Sequence, residues 1–292
     1  MRFALAISMC DASHYVPLAR AAEAAGWDAV CVSDGGPWTE TITEPYHGGA
    51  RWWSPDTPFP DPFVVIPAIA AATERIALYT NVFKLPIRSP LLTARAVATA
   101  AALWPGRIAL GVGPGWNREE FEALGQDFDS RGERADEILE ILRLVWTGDW
   151  VEFHGRHYAF GRLRQAPAPS GPVPIYVGGD SPAAMRRAAR FDGWCSRAAA
   201  VDDVIALVPR MHAELARAGR APGGFEIFAM CPQATDAASV ARLAAGGVTE
   251  LQVWPWIRYG VGLGDLPGKL DAVRRFTDEV IAPLRAAPPT RR

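Results

Sequence analysis

Two adjacent glycines follow an apolar segment and precede a helix start in the run 174–182, which reads PIYVGGDSP. Gly178 and Gly179 carry no side chain, and Ser181 followed by Pro182 is a typical N-cap with a first helical residue. Backbone N–H groups at the positive end of a helix suit a phosphate. An ordinary strand-to-helix turn would use the same residues, so the rest of the chain must decide between the two interpretations.

Charged residues beside this run bear on the same prediction. Asp180 follows the second glycine directly, and its negative charge opposes a bound anion. Arg186, Arg187 and Arg190 come shortly afterwards, in the helix that the run begins. They could offset the charge of Asp180, and they could equally form a solvated helix face.

Few other side chains in the chain offer chemistry at the ends of apolar segments. His14 and Asp34 do so, but alone they make no metal site, and the chain has no nucleophile elbow of the type G-x-S-x-G. The cysteines are far apart in apolar runs, at Cys10, Cys31, Cys195 and Cys231. We therefore expect no metal, no disulfide framework, and reduced thiols in a cytoplasmic protein.

Short apolar segments alternate with helical patterns along the chain. The candidate strands are Arg2–Met9, Ala29–Ser33, Ile76–Val82, Ile108–Val112, Ile175–Val177, Gly193–Ser196, Glu226–Met230 and Leu251–Trp254. The helical patterns include Val16–Ala25, Leu91–Leu103 and Arg131–Trp146. This alternation predicts a parallel α/β fold, and eight strands predict a (β/α)₈ TIM barrel with residues 1–292 as one domain. A doubly wound sheet is the alternative fold. It would carry a dinucleotide-binding glycine motif, but the glycine run at 111–115 has the wrong spacing, and Pro114 lacks the amide that a pyrophosphate would need.

Three segments depart from this alternation. Residues 35–62 form a long insertion after the second strand, rich in proline, glycine and aromatic residues such as Trp38, Tyr46, His47, Trp52, Trp53 and Phe59. In a barrel this insertion lies at the active-site face, where it is either a wall of an apolar pocket or a surface loop packed on itself. Residues 150–160 predict a small hairpin between strands four and five. Residues 286–292 predict a frayed tail.

The composition limits the possible partners. The chain has 292 residues, 49% of them apolar and 21% charged, with a net charge of −2. These values describe a soluble globular protein and give no reason to expect nucleic acid as a partner. The longest apolar stretch, 62–83, is interrupted by Pro67, Glu74 and Arg75, so no membrane association is expected.

The order of several loose motifs resembles the luciferase-like monooxygenase superfamily, in particular its branch of oxidoreductases that depend on coenzyme F420, a deazaflavin. The pieces are RIALGVG at 107–113, EFEALG at 120–125, RGERADE at 131–137, FHGRHY at 153–158 and PVPIYVGG at 172–179. They cover nearly the whole chain, and their order and spacing together are specific. The resemblance implies a TIM barrel that binds its coenzyme at the carboxyl ends of the strands.

The resemblance also implies a set of site residues. It implies that the coenzyme phosphate lies at Gly178, Gly179 and Ser181, and that a non-prolyl cis peptide joins Asn81 to Val82 behind the ring. Asp34 corresponds to an acid near the reactive edge of the ring, and Glu119 lies near a coenzyme contact. Thr80 and Val177, near the carboxyl ends of their strands, complete the expected coenzyme site. We expect Asp34 and His14 to be the catalytic side chains.

One departure from the family pattern limits the reaction. Several members place a histidine directly after the acid as a base for alcohol oxidation, whereas this chain has Gly35. We therefore expect hydride transfer between F420 and a small apolar or aromatic substrate, with reduction of an activated double bond favoured over alcohol oxidation. An FMN-dependent monooxygenase is the alternative, since FMN carries the same ribityl phosphate. A non-catalytic coenzyme-binding protein is a second alternative, and a homodimer is expected from the family.

Overall fold

The computed structural model describes residues 1–43, 46, 53–232, 234 and 236–286. Its strands are β1 (Arg2–Ile7), β2 (Ala29–Val32), β3 (Ala77–Thr80), β4 (Phe83–Lys84), β5 (Ile108–Gly113), β6 (Val151–His154), β7 (Ala159–Leu163), β8 (Ile175–Gly178), β9 (Gly193–Ala198), β10 (Glu226–Met230) and β11 (Glu250–Val253). All eight predicted strands are therefore present, and β6 and β7 form the predicted hairpin.

Eight parallel strands close into a barrel. Neighbouring strands pair in the order β3, β2, β1, β11, β10, β9, β8 and β5, and pairing of β3 with β5 completes the ring. The predicted (β/α)₈ TIM barrel is confirmed. Every carboxyl end of a barrel strand consequently lies on the same face, where sites of this fold are built.

The third barrel strand is interrupted. The sequence predicts one strand over 76–82, but β3 ends at Thr80 and the short strand β4 resumes at Phe83. Both pieces pair with β5, through Leu78 opposite Ile108 and Phe83 opposite Val112. The two residues between the pieces form a bulge at the carboxyl face of the barrel.

Helices surround the barrel. They are α1 (Tyr15–Ala24), α2 (Pro62–Ala71), α3 (Pro90–Leu103), α4 (Arg118–Ala123), α5 (Arg131–Val145), α6 (Pro182–Ala188), α7 (Val201–Arg217), α8 (Ala237–Ala245), α9 (Pro255–Arg258), α10 (Leu266–Phe276) and α11 (Ala282–Ala286), with a π-helical turn at Thr277–Ile281. Carboxylate caps begin several of them, such as Asp61, which accepts from the Phe63 amide at 2.8 Å. No helix among the described residues is long and apolar enough to span a bilayer.

The lumen of the barrel has its own small core. The rings of Tyr79, Tyr176 and Phe228 pack against each other with centroids 4.4–5.6 Å apart. The other buried apolar residues of this cluster are small: Ala4, Ala6, Ala29, Cys31, Ala109 and Cys195. Three aromatic rings thus fill one side of the lumen, whereas β1 and β2 line the other side with small side chains.

Two predicted segments are only partly described. Within the 35–62 insertion, residues 44–45 and 47–52, including His47 and Trp52, lie outside the described residues. The predicted tail at 286–292 also lies outside them, apart from Ala286, which ends α11. That residues 1–292 form one domain stays a prediction.

Candidate active site at the carboxyl end of the barrel

The bulge between β3 and β4 contacts the strand that carries the two glycines. The Asn81–Val82 peptide is cis, as the resemblance implies. A Cβ atom on Gly113 would lie 2.7 Å from Val82 Cγ2, and one on Gly178 would lie 2.8 Å from Val82 Cγ1. Such distances are too short for real side chains, so the Val82 isopropyl group occupies the space that both glycines leave open. Packing against Val82 therefore explains why residue 178 is a glycine, which the sequence alone did not indicate.

Asp34 is the centre of a buried ion pair. Its fully buried carboxylate accepts from Arg88 Nη1 at 2.7 Å and from Arg88 Nη2 at 2.8 Å. The backbone N–H of Lys84 donates to the same carboxylate at 2.9 Å. Both oxygens are engaged, and a bidentate guanidinium fixes the orientation of a carboxylate. This geometry suits positioning of β4 better than uptake of a proton.

Gly35 has no room for a side chain. A Cβ atom at this position would lie 2.3 Å from Phe59 Cβ and 2.7 Å from Phe59 Cγ. The aromatic side chain of the insertion thus fills the place where several members of the resembled family carry a histidine. A histidine or any other side chain directly after Asp34 is therefore excluded by contact with Phe59.

The insertion forms an aromatic wall with a residue from the opposite side of the site. Phe59 contacts Trp53 with ring centroids 6.3 Å apart, Trp53 contacts Tyr46 at 4.8 Å, and Tyr46 contacts Trp116 at 5.2 Å, all nearly edge to face. These contacts connect the segment after β2 to the segment after β5. Edge-to-face pairs are favourable beyond their buried area, so the described part of the insertion is a packed structure rather than scattered aromatics.

Glu119 secures the insertion to α4. Its Oε1 atom accepts from the Thr43 amide at 2.7 Å and from the Thr43 hydroxyl at 2.5 Å, and these bonds lower the pKa of the carboxyl group. Its Oε2 atom is closed off from solvent and finds no hydrogen-bond partner among the described residues. Glu119 therefore acts here as an anchor for the insertion, and coenzyme contact by this residue stays a prediction.

A second buried ion pair lies beneath the start of the insertion. Lys84 Nζ contacts the two carboxylate oxygens of Glu120 at 2.6 and 2.7 Å. A Cβ atom on Gly36 would lie only 1.6 Å from Glu120 Oε1. Glu120 thus packs directly against the backbone of the insertion, and a side chain at position 36 would collide with it.

The glycine pair enters α6 as the sequence predicts. Gly179 has a φ of +114°, a conformation that favours glycine, and the Ser181 hydroxyl caps α6 by accepting from the Ala184 amide at 3.2 Å. The Gly179 amide itself donates to the Cys195 carbonyl at 3.1 Å. That amide is therefore used within the barrel and is not available to a phosphate.

The charge of Asp180 is balanced by a residue that the sequence did not suggest. Arg197, at the end of β9, donates to Asp180 through Nε at 2.8 Å and through its backbone amide at 3.1 Å. Arg187 pairs instead with Asp136, and Arg190 pairs with Glu140. The expectation that a helical arginine offsets Asp180 is therefore wrong for these two residues, because both face α5.

Two further predicted contacts are turned away from the site. Thr80 is fully buried, and its hydroxyl donates to the Gly111 carbonyl at 2.6 Å. The Val177 side chain is fully buried in the core between strands and helices. Only the backbone of these residues could contact a ligand, whereas Asn81 and Val82 are both partly exposed.

His14 follows β1 on the same face of the barrel and lies beside a buried lysine. Lys269 is completely buried, and its Nζ donates to the Leu263 carbonyl at 2.5 Å and lies 3.4 Å from His14 Nδ1. An ammonium group offers only donors, so Nδ1 must accept and the imidazole proton lies on Nε2. Burial and the nearby ammonium both lower the pKa of His14. The residue is thus a neutral imidazole at pH 7.

Replacing Lys269 with Met is expected to raise the pKa of His14, since it removes the cation while keeping a long apolar side chain in the same space. The titration of the histidine Cε1 signals by NMR measures this pKa. The Cε1 signal of His157, which lies against Glu133 in the β6–β7 region, serves as the internal reference. An unaltered or lower His14 pKa in K269M would contradict the assignment of its partner.

Comparison with known proteins shows which family the chain is similar to. A family model described as "Luciferase-like monooxygenase" matches residues 7–257. An uncharacterised protein of Mycobacterium tuberculosis is 38% identical over 97% of this chain and 99% of its own length. An F420-dependent glucose-6-phosphate dehydrogenase of Nakamurella multipartita is 34% identical over 71% of this chain and 59% of its own length.

One solved structure has the same fold over nearly its whole length. It is an F420-dependent secondary alcohol dehydrogenase in complex with an F420–acetone adduct, with a TM-score of 0.77. The match covers 96% of this chain and 98% of that one, at 17% identity. At this identity the likeness concerns the fold.

Proposed function

The chain belongs to the luciferase-like monooxygenase family, and on that premise we propose that it is an oxidoreductase that uses coenzyme F420 to reduce an activated double bond in a small apolar or aromatic molecule. F420-dependent relatives that cover much of the chain support the coenzyme. The direction of the reaction is carried by one observation: the end of β2 offers no free base, because Asp34 is held by Arg88 and Phe59 fills the space at Gly35.

The residues at the barrel mouth fit a deazaflavin coenzyme. Asn81 and Val82 are the partly exposed residues between the buried strands β3 and β4, so they are the surface available to a ring. At the phosphate end, the neutralised Asp180, the Ser181 cap and the cationic Arg197 give a site where an anion meets no net repulsion. We propose that Gly178 acts there through its lack of a side chain and Gly179 through its turn conformation.

The chemistry divides between coenzyme and protein. When bound, F420 supplies the hydride. The protein supplies orientation through the rigid bulge, and it excludes water with the aromatic wall of Phe59, Trp53, Tyr46 and Trp116. We propose that His14, as the neutral Nε2–H tautomer, is the hydrogen-bond donor that polarises an acceptor on the substrate. Asp34 acts as a positioning residue for β4.

Titration of the apoprotein with F420 and with FMN, followed by fluorescence and calorimetry, tests the coenzyme. We expect F420 to bind at least tenfold more tightly than FMN. Tight FMN binding without detectable F420 binding would replace the proposal by the FMN-dependent monooxygenase. Binding of neither coenzyme would contradict the proposal and its alternative together.

Turnover in the two directions tests the reaction. We expect oxidation of reduced F420 in the presence of α,β-unsaturated carbonyl compounds, and at least tenfold slower reduction of F420 by secondary alcohols. Faster alcohol oxidation would contradict the assignment drawn from Gly35 and Phe59. Coenzyme binding without turnover of either class would favour the non-catalytic coenzyme-binding protein. A homodimer and a cytoplasmic location stay predictions.

A further inference from the structure

A continuous line of hydrogen-bonded side chains runs through the lumen of the barrel. Arg2 Nε donates to Glu250 Oε2 at 3.1 Å, and the Tyr79 hydroxyl donates to Glu250 Oε1 at 2.5 Å. Gln252 Nε2 donates to the Tyr79 oxygen at 3.0 Å, and Asn81 Nδ2 donates to Gln252 Oε1 at 2.7 Å. We call these five residues the axial relay. It begins at the amino ends of the strands and ends at the bulge of the candidate site.

Small residues make the relay possible. Glu250 and Gln252 lie on β11, whereas Tyr79 and Asn81 belong to the third barrel strand, and β1 and β2 lie between them. The side chains that β1 and β2 direct into the lumen include Ala4, Ala6, Ala29 and Cys31. Larger residues there would separate Tyr79 from β11. The polar contacts of the lumen thus depend on how four neighbouring strands pack: the third barrel strand, β2, β1 and β11.

The charge state of Glu250 fixes the direction of every hydrogen bond in the relay. An ionised carboxylate can only accept, so the Tyr79 hydroxyl must donate to it and its oxygen is left to accept from Gln252 Nε2. The Gln252 oxygen then faces Asn81 and accepts from Asn81 Nδ2. Asn81 Oδ1 makes no hydrogen bond with a described residue. It is therefore the acceptor that Asn81 presents at the barrel mouth, the opening at the carboxyl ends of the strands.

We propose that protonation of Glu250 reverses the axial relay and exchanges the acceptor that Asn81 presents at the barrel mouth for a donor. One proton is taken up from solvent at Glu250 and donated in a hydrogen bond to the Tyr79 oxygen. The Tyr79 hydroxyl then donates to the Gln252 oxygen, after both carboxamides have turned over. Gln252 Nε2 donates to Asn81 Oδ1, and Asn81 Nδ2 faces the mouth. Glu250, Tyr79 and Gln252 are therefore positioning residues for Asn81.

The surroundings of Glu250 bring this change into the neutral range. Burial raises the pKa of Glu250 to about 7, although the Tyr79 hydrogen bond and the Arg2 guanidinium lower it. Glu226 and Asp28 raise it further by repulsion. The other titratable groups facing this region are Tyr176, Cys31 and Cys195. Burial raises the pKa of each of these three groups, and that of Tyr79, so they stay protonated while Glu250 titrates.

The consequence for the coenzyme rests on the proposed function, whereas the reversal itself does not. A donor and an acceptor at the same position favour different polar edges of a bound ring. Affinity for F420 would then change between pH 6 and pH 8 in the wild type, and this change would be lost in a variant whose relay is broken.

NMR of the coenzyme-free protein tests the reversal directly, because the sequence contains only two asparagines, Asn81 and Asn117. Selective ¹⁵N-asparagine labelling gives two side-chain NH₂ groups, which an Asn117→Ser variant assigns. We expect the Asn81 NH₂ signals to move between pH 5 and pH 9 with a midpoint near the pKa of Glu250, about 7. The Asn117 signals serve as the internal reference.

Three variants separate the relay from simple electrostatics. In Glu250→Gln, Arg2 requires an oxygen on its side, so the amide nitrogen faces Tyr79 and should hold Asn81 in its low-pH state at every pH. Tyr79→Phe removes a hydrogen bond that lowers the pKa of Glu250, so Glu250 still titrates but at higher pH, and the Asn81 titration should be abolished. Tyr176→Phe removes a neighbouring hydroxyl of the same lumen core and should leave the titration intact.

Two outcomes would overturn the proposal: pH-independent Asn81 signals in the wild type, or an Asn81 titration that persists in Y79F. The wild-type titration and Y79F decide the question even where E250Q does not fold. Because no coenzyme is present, failure here is distinct from failure of the proposed function, which the coenzyme titrations decide.

Discussion

Replacing Arg88 with Met is expected to lower the free energy of unfolding by about 3–5 kcal/mol, the range found when one partner of a buried ion pair is removed. The Asp34 carboxylate is fully buried, and Arg88 binds both its oxygens. In R88M the Lys84 amide is the only donor to it that remains among the described residues. Loss of this ion pair should also make β4 less firmly held, so we expect F420 affinity to fall at least tenfold. Chemical denaturation and coenzyme titration measure the two effects.

Two further variants show whether the unpaired charge causes the loss. The double variant D34N/R88M removes the carboxylate charge as well and should be more stable than R88M alone, since no buried ion is then left without a partner. Arg190→Met removes an exposed arginine that pairs with Glu140, and it should cost no more than about 1 kcal/mol. Equal losses in R88M and R190M would show that Asp34 is not held as described.

Replacing Gly178 with Ala is expected to cost about 1–3 kcal/mol of stability, the usual cost of overpacking. The new methyl group would lie 2.8 Å from Val82 Cγ1, which must move and displace the bulge with it. We expect a loss of F420 affinity of at least tenfold, because the bulge and the glycine pair bound the two ends of the proposed coenzyme site. The same denaturation and titration experiments apply.

A second substitution should repair this one. Val82→Ala removes both methyl groups that the new Cβ would meet, and the next nearest atom, the Val112 carbonyl oxygen, is at an ordinary 3.5 Å. The G178A/V82A double variant should therefore be more stable than G178A. Gly161→Ala, in β7, is the matched control, since no atom of the described part of the chain lies within 4 Å of the added methyl group. A G178A protein as stable as G161A would contradict the packing of Val82.

The elements of the fold could be predicted from the sequence because their signals are local. Each barrel strand is a short apolar run bounded by glycine, proline or polar residues, so all eight were recognisable. The α5 pattern of buried Ile138, Leu139 and Leu142 was also recognisable from its helical spacing. The interruption of the third strand was not, because Asn81 and Val82 look like a continuation of the strand. Only the resemblance to a family pointed to it.

The partners of the site residues could not be predicted, because they are distant in the chain. Arg88 lies 54 positions after Asp34, and Arg197 lies 17 positions after Asp180. Nothing in the local sequence of Phe59 indicates that it packs on Gly35. A strand-end acid therefore looks like a free acid in the sequence, and its actual role depends on whether a distant residue neutralises it.

The position of Arg2 at the far end of the axial relay gives the barrel a second control point. Arg2 is partly exposed on the amino-end rim, where it contacts both Glu226 and Glu250. In this fold that rim ordinarily serves stability and the opposite rim serves chemistry. Here a substitution at Glu226 changes the field at Glu250 without altering any residue at the mouth. Selection or protein engineering can thus adjust the working pH of the site from the opposite end of the molecule.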